Sequence, residues 1–315
     1  MAATPETVKK LVASGHSVRI ESGAGTVAGF PDDSFSDAGA TLAPDAAAAT
    51  KGADIVFKVR APEAGEMGAL PDGVALIALM DPTNLDAAPL NAKKVASLSM
   101  EFTPRITRAQ SMDALSSQSN LSGYRSVIEG AQIYGRAMPM MMTAAGTIAP
   151  AKFIAVEDEE FKAAETAGGY AKQMSPEYQA KQAELTTSHI TKQDIVITTA
   201  LIPGRAAPVL VTEEMVKTMK PGSVIVDMAV SQGGNCPLSK PDEIVDVNGV
   251  KVAGFSNLPA RLPADASSLF AKNLLAFLPL VTAEDGSLNL DTDDEIVTAM
   301  LLTRNGETVN ERIQS

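Results

Sequence analysis

Asp194-Ile-Val-Ile-Thr-Thr-Ala-Leu201 and Ser223-Val-Ile-Val-Asp-Met-Ala-Val230 are short apolar runs, with a stretch of helical spacing from Thr212 to Met219 between them. Runs of this length without strict polar alternation read as strands covered on both faces, and strands alternating with helices predict a parallel α/β sheet. Val250-Lys-Val-Ala-Gly-Phe255 extends the pattern, and a helix is expected over Ser268 to Leu280. Towards the N-terminus, Asp54-Ile-Val-Phe-Lys-Val-Arg60 and Val74-Ala-Leu-Ile-Ala-Leu-Met80 read as buried strands, each followed closely by proline. Residues 4–14 read as a helix with Thr4 as cap and Pro5 in its first turn, and Ser17 to Ser22 as a strand. Thr303-Arg-Asn-Gly-Glu307 carries a hairpin signal. The fold class is α/β.

The chain has 315 residues, enough for about two domains of ~150 residues each. A formal charge of −12, 4% aromatics and no tryptophan argue against nucleic acid, which needs cationic surface and stacking platforms. The single cysteine, Cys236, excludes an intrachain disulfide and fits a reducing compartment. With His16 and His189 as the only histidines, neither a metal site nor a Ser-His-Asp triad is expected. The N-terminus lacks the basic and apolar regions of a signal peptide. The best apolar window, Leu269 to Val281, contains Lys272 and Asn273 and is too short to span a bilayer. A cytoplasmic protein is expected.

None of the glycine clusters opens a nucleotide-binding helix directly after a strand, as a pyrophosphate turn must. Gly23-Ala-Gly25 reads as a structural turn. Pro237 and Pro241 follow Gly233-Gly234 too closely, and Gly168-Gly169-Tyr170 has no strand before it. A polar stretch from Arg105 to Asn120 leads into a long helix, with Leu121, Tyr124, Ile128, Ala131 and Tyr134 on one face. The run Met138-Pro-Met-Met-Met142 reads as core or inter-domain packing rather than a cofactor box.

Six stretches carry a resemblance: RITRAQSMDALSSQSNLSGY (105–124), PMMMTAAGTIAP (139–150), AETAGGYAKQM (164–174), DIVITTALIPGRAAPVLVTEEMV (194–216), MKPGSVIVDMAVSQGGNCPLS (219–239) and DASSLFAKNLLAFL (265–278). In this order they resemble the soluble NAD(H)-binding part of the alpha subunit of proton-translocating NAD(P) transhydrogenases, in the alanine dehydrogenase/pyridine nucleotide transhydrogenase family. The resemblance implies two Rossmann-like parallel-sheet domains with an inter-domain cleft. Residues 1–120 would form the N-terminal domain, with part of 265–315 packing back on it. Residues 121–150 would be an inter-domain helix and linker, and 151–264 a shortened NAD-binding domain. It also implies hydride transfer from NADH to NADP+ held on a partner subunit, membrane subunits that couple this to proton movement, a homodimer, and a cytoplasmic location peripheral to the membrane. The cofactor would supply the chemistry and the protein the alignment.

Residue by residue, the resemblance puts Gln110 beside the nicotinamide. Arg105 and Asp113 would form a charged pair orienting the loop, with Asp113 and Ser116 near the carboxamide. Arg105, Ile106, Thr107 and Arg108 would line the NAD site. Gly169 and Tyr170 would belong to a loop closing over the adenosine, with Gln182 and Leu201 as further nucleotide contacts. Asp227 and Cys236 read as structural.

Two departures stand against this. The chain begins at what resembles the family's first helix, without its opening strand. In addition, Ala149-Pro-Ala-Lys152 runs straight into Phe153-Ile-Ala-Val156, which resembles the family's third strand. Roughly forty residues are absent there, including the glycine turn and the acid for the adenosine ribose. Either Phe153–Val156 slides beside Asp194–Leu201 to close the gap, or an apolar edge is left open. Two alternatives therefore stand beside the hydride-transferring subunit. One is a non-catalytic docking or dimerisation homologue that has lost NAD binding. The other is an alanine dehydrogenase, for which a histidine is expected near Leu79–Pro82.

Overall fold

The computed structural model describes residues 1–156, 184–201, 206–283 and 285–313. The chain divides into two compact units, Met1–Asn120 with Leu262–Ser315, and Leu121–Arg261.

In the first unit, helix Pro5–Ala13 is capped by the side chain of Thr4. It packs with a small parallel pair, β1 (Arg19–Glu21) and β2 (Thr41–Ala43), around Val8, Ile20, Phe35 and Ala40. The main sheet begins with β3 (Ile55–Arg60), β4 (Ala75–Leu79) and β5 (Ala96–Ser99), all parallel. β4 is buried on both faces over most of its length, which is why it reads as an unbroken apolar run.

The second unit takes most of the long helix Ala114–Tyr134, then a hairpin of β6 (Met141–Thr143) and β7 (Gly146–Ile148). β8 (Phe153–Val156), β9 (Ile195–Thr198) and β10 (Val224–Asp227) are parallel, and β11 (Glu243–Val247) returns antiparallel onto β12 (Val250–Gly254). The sheet order is β11-β12-β10-β9-β8. The chain then re-enters the first unit through helices Pro263–Phe277 and Glu295–Met300 and the hairpin of β13 (Leu301–Arg304) and β14 (Glu307–Thr308). Here the order is β14-β13-β5-β4-β3, with β13 antiparallel to β5. Both main sheets are thus parallel with an antiparallel hairpin at one edge. Each of these edge hairpins turns on an Asn-Gly pair with positive φ, at Asn248 and Asn305.

The gap expected before Phe153 is closed by the first of the two routes: β8 lies beside β9, Phe153 opposite Ile195 and Val156 opposite Thr198.

Three expectations are corrected. The long helix does not bury Tyr124 or Ile128, which are 60% and 39% exposed. Its buried side runs through Ser126, Glu129, Gly130 and Tyr134. Gly130 allows the close approach, since a Cβ there would stand 2.9 Å from Cγ2 of Ile195. Glu129 on that side is held by Arg125 and Arg261, each at 2.7 Å. Second, Met140, Met141 and Met142 are not core, being exposed on and beside the β6–β7 hairpin. Third, the helix expected from Ser268 starts at Pro263, because proline suits a first turn in which an N–H would have no intrahelical acceptor.

Candidate nucleotide site

In open α/β sheets ligands gather at the carboxyl ends of the parallel strands. In the first unit, β5 ends at Ser99 and the chain leads through Met100–Phe102 into the segment 105–113. Glu101 braces this end. Its carboxylate accepts from the N–H groups of Met80 and Asp81, 2.9 and 2.8 Å away, and from Ser99 Oγ at 2.6 Å.

Thr107–Met112 is a 3₁₀ segment laid against helix Pro263–Phe277. Ala109 and Met112 point into the core with Phe270, Leu274 and Phe277. Asn273 Nδ2 donates to the Ser111 carbonyl at 2.9 Å, and its Oδ1 accepts from Ser117 Oγ at 2.8 Å. Ala109 and Met112 are the anchors, so Arg105, Thr107, Arg108 and Gln110 are left exposed and Ile106 half-buried.

Asp113 caps the long helix, accepting from Ser116 N at 2.8 Å and from the Ser116 hydroxyl. Arg108 forms a two-pronged pair with Asp294, at 2.6 and 3.0 Å. The guanidinium holds the Asp294 carboxyl below the ordinary carboxylate range, and Asp294 in turn caps helix Glu295–Met300 through Ile296 N at 2.8 Å. The structure therefore brings Arg105, Ile106, Thr107, Arg108, Gln110, Asp113 and Ser116 together on one braced turn. Leu201 lies after β9 in the other unit and is 36% exposed. Gly169, Tyr170 and Gln182 lie outside the described residues.

Sequence reading misses Asp294, Asn273 and Glu101. Asp294 carries a usable signal, an acidic residue directly before an apolar helical run.

In the second unit, the carboxyl end of β10 is occupied by the protein's own carboxylate. Asp227 is fully buried and gathers five donors: Ala229 N at 2.9 Å, Asn235 N at 3.2 Å, Cys236 N at 3.1 Å, Thr198 Oγ1 at 3.3 Å and Ser239 Oγ at 2.6 Å. Gly234 makes room for this cluster, since a Cβ there would stand 2.7 Å from Asp227 Oδ2. Asn235 Nδ2 ties the flanking loop through the carbonyls of Ala200 and Pro208, at 2.9 and 2.8 Å. Beside it, burial pushes the Cys236 thiol up to about 11. Both residues are structural. Among the described residues no group of three or more His, Cys, Asp or Glu is placed to hold a metal, and no helix is long and apolar enough to cross a membrane.

The model of the alanine dehydrogenase/PNT N-terminal domain matches residues 1–122 and that of the C-terminal domain matches 154–311. The chain belongs to the alanine dehydrogenase/PNT family. Within it, the chain is similar to the first portion of the NAD(P) transhydrogenase subunit alpha of Rhodospirillum rubrum, 47% identical over 365 aligned positions that cover 98% of this chain and 94% of the relative. The chain has only 315 residues, so at least 50 of those positions face a gap in it. The crystal structure of a transhydrogenase from Sinorhizobium meliloti superposes with a TM-score of 0.86 at 43% identity, covering 98% of this chain and 95% of that one. An L-alanine dehydrogenase structure shares the fold, with a TM-score of 0.77 at 24% identity over 99% of this chain and 94% of its own.

The residues present fit the two ends of a nicotinamide dinucleotide unequally. The exposed amide of Gln110, hydroxyl of Thr107 and guanidinium of Arg105 are a donor and acceptor set suited to a carboxamide and ribose. For the pyrophosphate end, no glycine turn leads from a strand into an α-helix among the described residues of the second unit, where β8 lies beside β9.

Proposed function

We propose that the chain is the NAD(H)-binding subunit of an NAD(P) transhydrogenase, serving hydride transfer between NADH and NADP+ held by a separate subunit, with membrane subunits coupling the reaction to proton translocation. The observation that carries this is the 47% identity over 98% of the chain to a transhydrogenase subunit. The nucleotide supplies the hydride. Gln110 and Thr107 hold and orient the nicotinamide, and Arg105 with Asp113 sets the loop. Ala109 and Met112, packed in the core, keep the turn from drifting, which matters because small misplacements cost hydride transfer heavily. The protein works in the cytoplasm, at the membrane through those subunits. It does so as a homodimer, supported by the exposed apolar residues Tyr124, Val127 and Ile128 on the long helix and Met140, Met141, Met142 and Ile148 at the hairpin.

The test is an NADH fluorescence titration on monodisperse protein, followed by hydride transfer from NADH to an NADP analogue in a complex reconstituted with a relative's partner subunits. Saturation together with transfer is expected, and absence of transfer in the complex sinks the reading. A docking homologue without NAD is the second reading, favoured by the lack of a glycine turn into an α-helix among the described residues of the second unit. Alanine-dependent reduction of NAD+ would point instead to an alanine dehydrogenase. Against that stands the stretch Leu79–Pro82, which contains no histidine.

A further inference from the structure

Thr107–Met112 is a 3₁₀ segment, and roughly three residues per turn sort its side chains onto three faces about 120° apart. Ala109 and Met112 share the first face and are buried in the core. Thr107 and Gln110 share the second and are exposed. Arg108 and Ser111 share the third. Two apolar anchors on one face set the depth of such a segment but leave it free to rock about the line that joins them. Asn273 steadies the far end through the Ser111 carbonyl. At the near end the restraint is the two-pronged pair of Arg108 with Asp294, at 2.6 and 3.0 Å.

This pair differs from two loose surface chains. The Asp294 side chain is only 18% exposed, and its Oδ1 also accepts from Ile296 N at 2.8 Å. It is thus seated on the first turn of helix Glu295–Met300 before Arg108 meets it, and Glu295 Oε1 adds a second carboxylate oxygen 3.8 Å from the guanidinium. A guanidinium gripped by both prongs has a fixed direction. With the carboxylate already immobile, less of the ordering entropy that cancels most exposed pairs remains to be lost. We infer that Asp294 is a positioning residue for the proposed reaction: through Arg108 it fixes the rotation of segment 107–112, and hence the angle at which Thr107 and Gln110 meet the nicotinamide. Arg108 is then a strut and not a contact of the nucleotide. This rests on the proposed role of Thr107 and Gln110, and adds to it a residue 186 positions from the strut in sequence.

The experiment uses the full chain with Asp294→Asn, which keeps a capping oxygen, Arg108→Gln, which keeps an exposed polar chain, and the double variant. Two quantities are read for each. One is the NADH dissociation constant by fluorescence. The other is the rate of hydride transfer to an NADP analogue at saturating NADH, in a complex reconstituted with a relative's partner subunits. Each single variant should slow transfer about tenfold, the equivalent of ~1.4 kcal/mol, with NADH affinity held within about threefold. The double variant should be as slow as either single one and not about a hundredfold slower, since both changes break the same contact. A general loss of structure would instead weaken NADH binding along with the rate. Parental rates in the single variants, independent effects that multiply in the double, or an NADH affinity that falls more than about tenfold in Arg108→Gln alone would each overturn the inference and leave the proposed function standing. If the parent complex transfers no hydride, the proposed function and the inference fall together.

Discussion

Replacing Asp227 by alanine strips five donors of their acceptor at once. Three are main-chain N–H groups, on Ala229, Asn235 and Cys236, and all three residues are fully buried. A sealed donor without a partner costs ~1–3 kcal/mol, so these three alone amount to about 5 kcal/mol even if water enters the space left behind. That rivals the whole stability of an ordinary domain. Asp227→Asn keeps an oxygen for Ala229, Asn235 and Thr198 but turns an amide towards Cys236 N, so it should cost roughly 2–3 kcal/mol. The four tyrosines, Tyr124, Tyr134, Tyr170 and Tyr178, all fall within Leu121–Arg261, and the chain has no tryptophan. Tyrosine fluorescence during urea unfolding therefore reports on the second unit alone. The expected order of midpoints is parent, then Asn, then Ala, with Ala near the unfolded baseline before urea is added. Equal midpoints for the parent and the alanine variant would refute the view of Asp227 as the polar keystone of this unit.

Other outcomes follow from single residues. Gly130→Ala should destabilise by ~1–2 kcal/mol, the strain against Ile195 outweighing the gain in helix propensity, whereas Gly123→Ala, whose Cβ meets nothing within 4 Å, should stabilise by up to ~1 kcal/mol; thermal unfolding separates the two. Asp294→Ala should cost ~1 kcal/mol through the lost cap. Because Arg108 lowers the Asp294 carboxyl, that contribution is complete above the ordinary carboxylate value and lost as pH falls through the lowered one. A melting profile across acid pH should therefore flatten in Asp294→Asn, which keeps a capping oxygen but does not titrate. Finally, with its thiol raised to about 11 and fully buried, Cys236 should resist an aromatic disulfide reagent at pH 8 in the native protein and release one equivalent on unfolding.

The strands legible in the sequence are those that are apolar up to their last residue, such as Ile195–Thr198 and Val224–Asp227, because burial on both faces leaves no alternation to misread. Ala96-Ser-Leu-Ser99 is hidden for the opposite reason. It is equally buried, but Ser97 is satisfied by Thr303 Oγ1 at 2.7 Å, a partner over two hundred residues away. Apolar periodicity finds Tyr134 but not the rest of the buried side of the long helix, because Ser126, Glu129 and Gly130 are polar or small and leave no apolar repeat to read. Of the candidate site, the exposed residues come from resemblance alone. The anchoring of Ala109 and Met112 is concealed, since a 3₁₀ segment has neither the spacing of a helix nor that of a strand. The slide of β8 against β9 can be posed from sequence as one of two outcomes, and the register Phe153 opposite Ile195 decides it.

The first unit is sewn from both ends of the chain, with β13 seated on β5 and Ile296, Val297 and Met300 completing the core around Leu98 and Met100. On the ribosome, β5 must wait for about two hundred further residues before its neighbour is made, some 10–40 s at ordinary elongation rates. The second unit, wholly encoded in between, has its entire sequence available first. For that interval the apolar edge of β5 depends on whatever shields nascent chains, and an early stop anywhere between Arg261 and β13 would release a finished second unit attached to a first unit that cannot close.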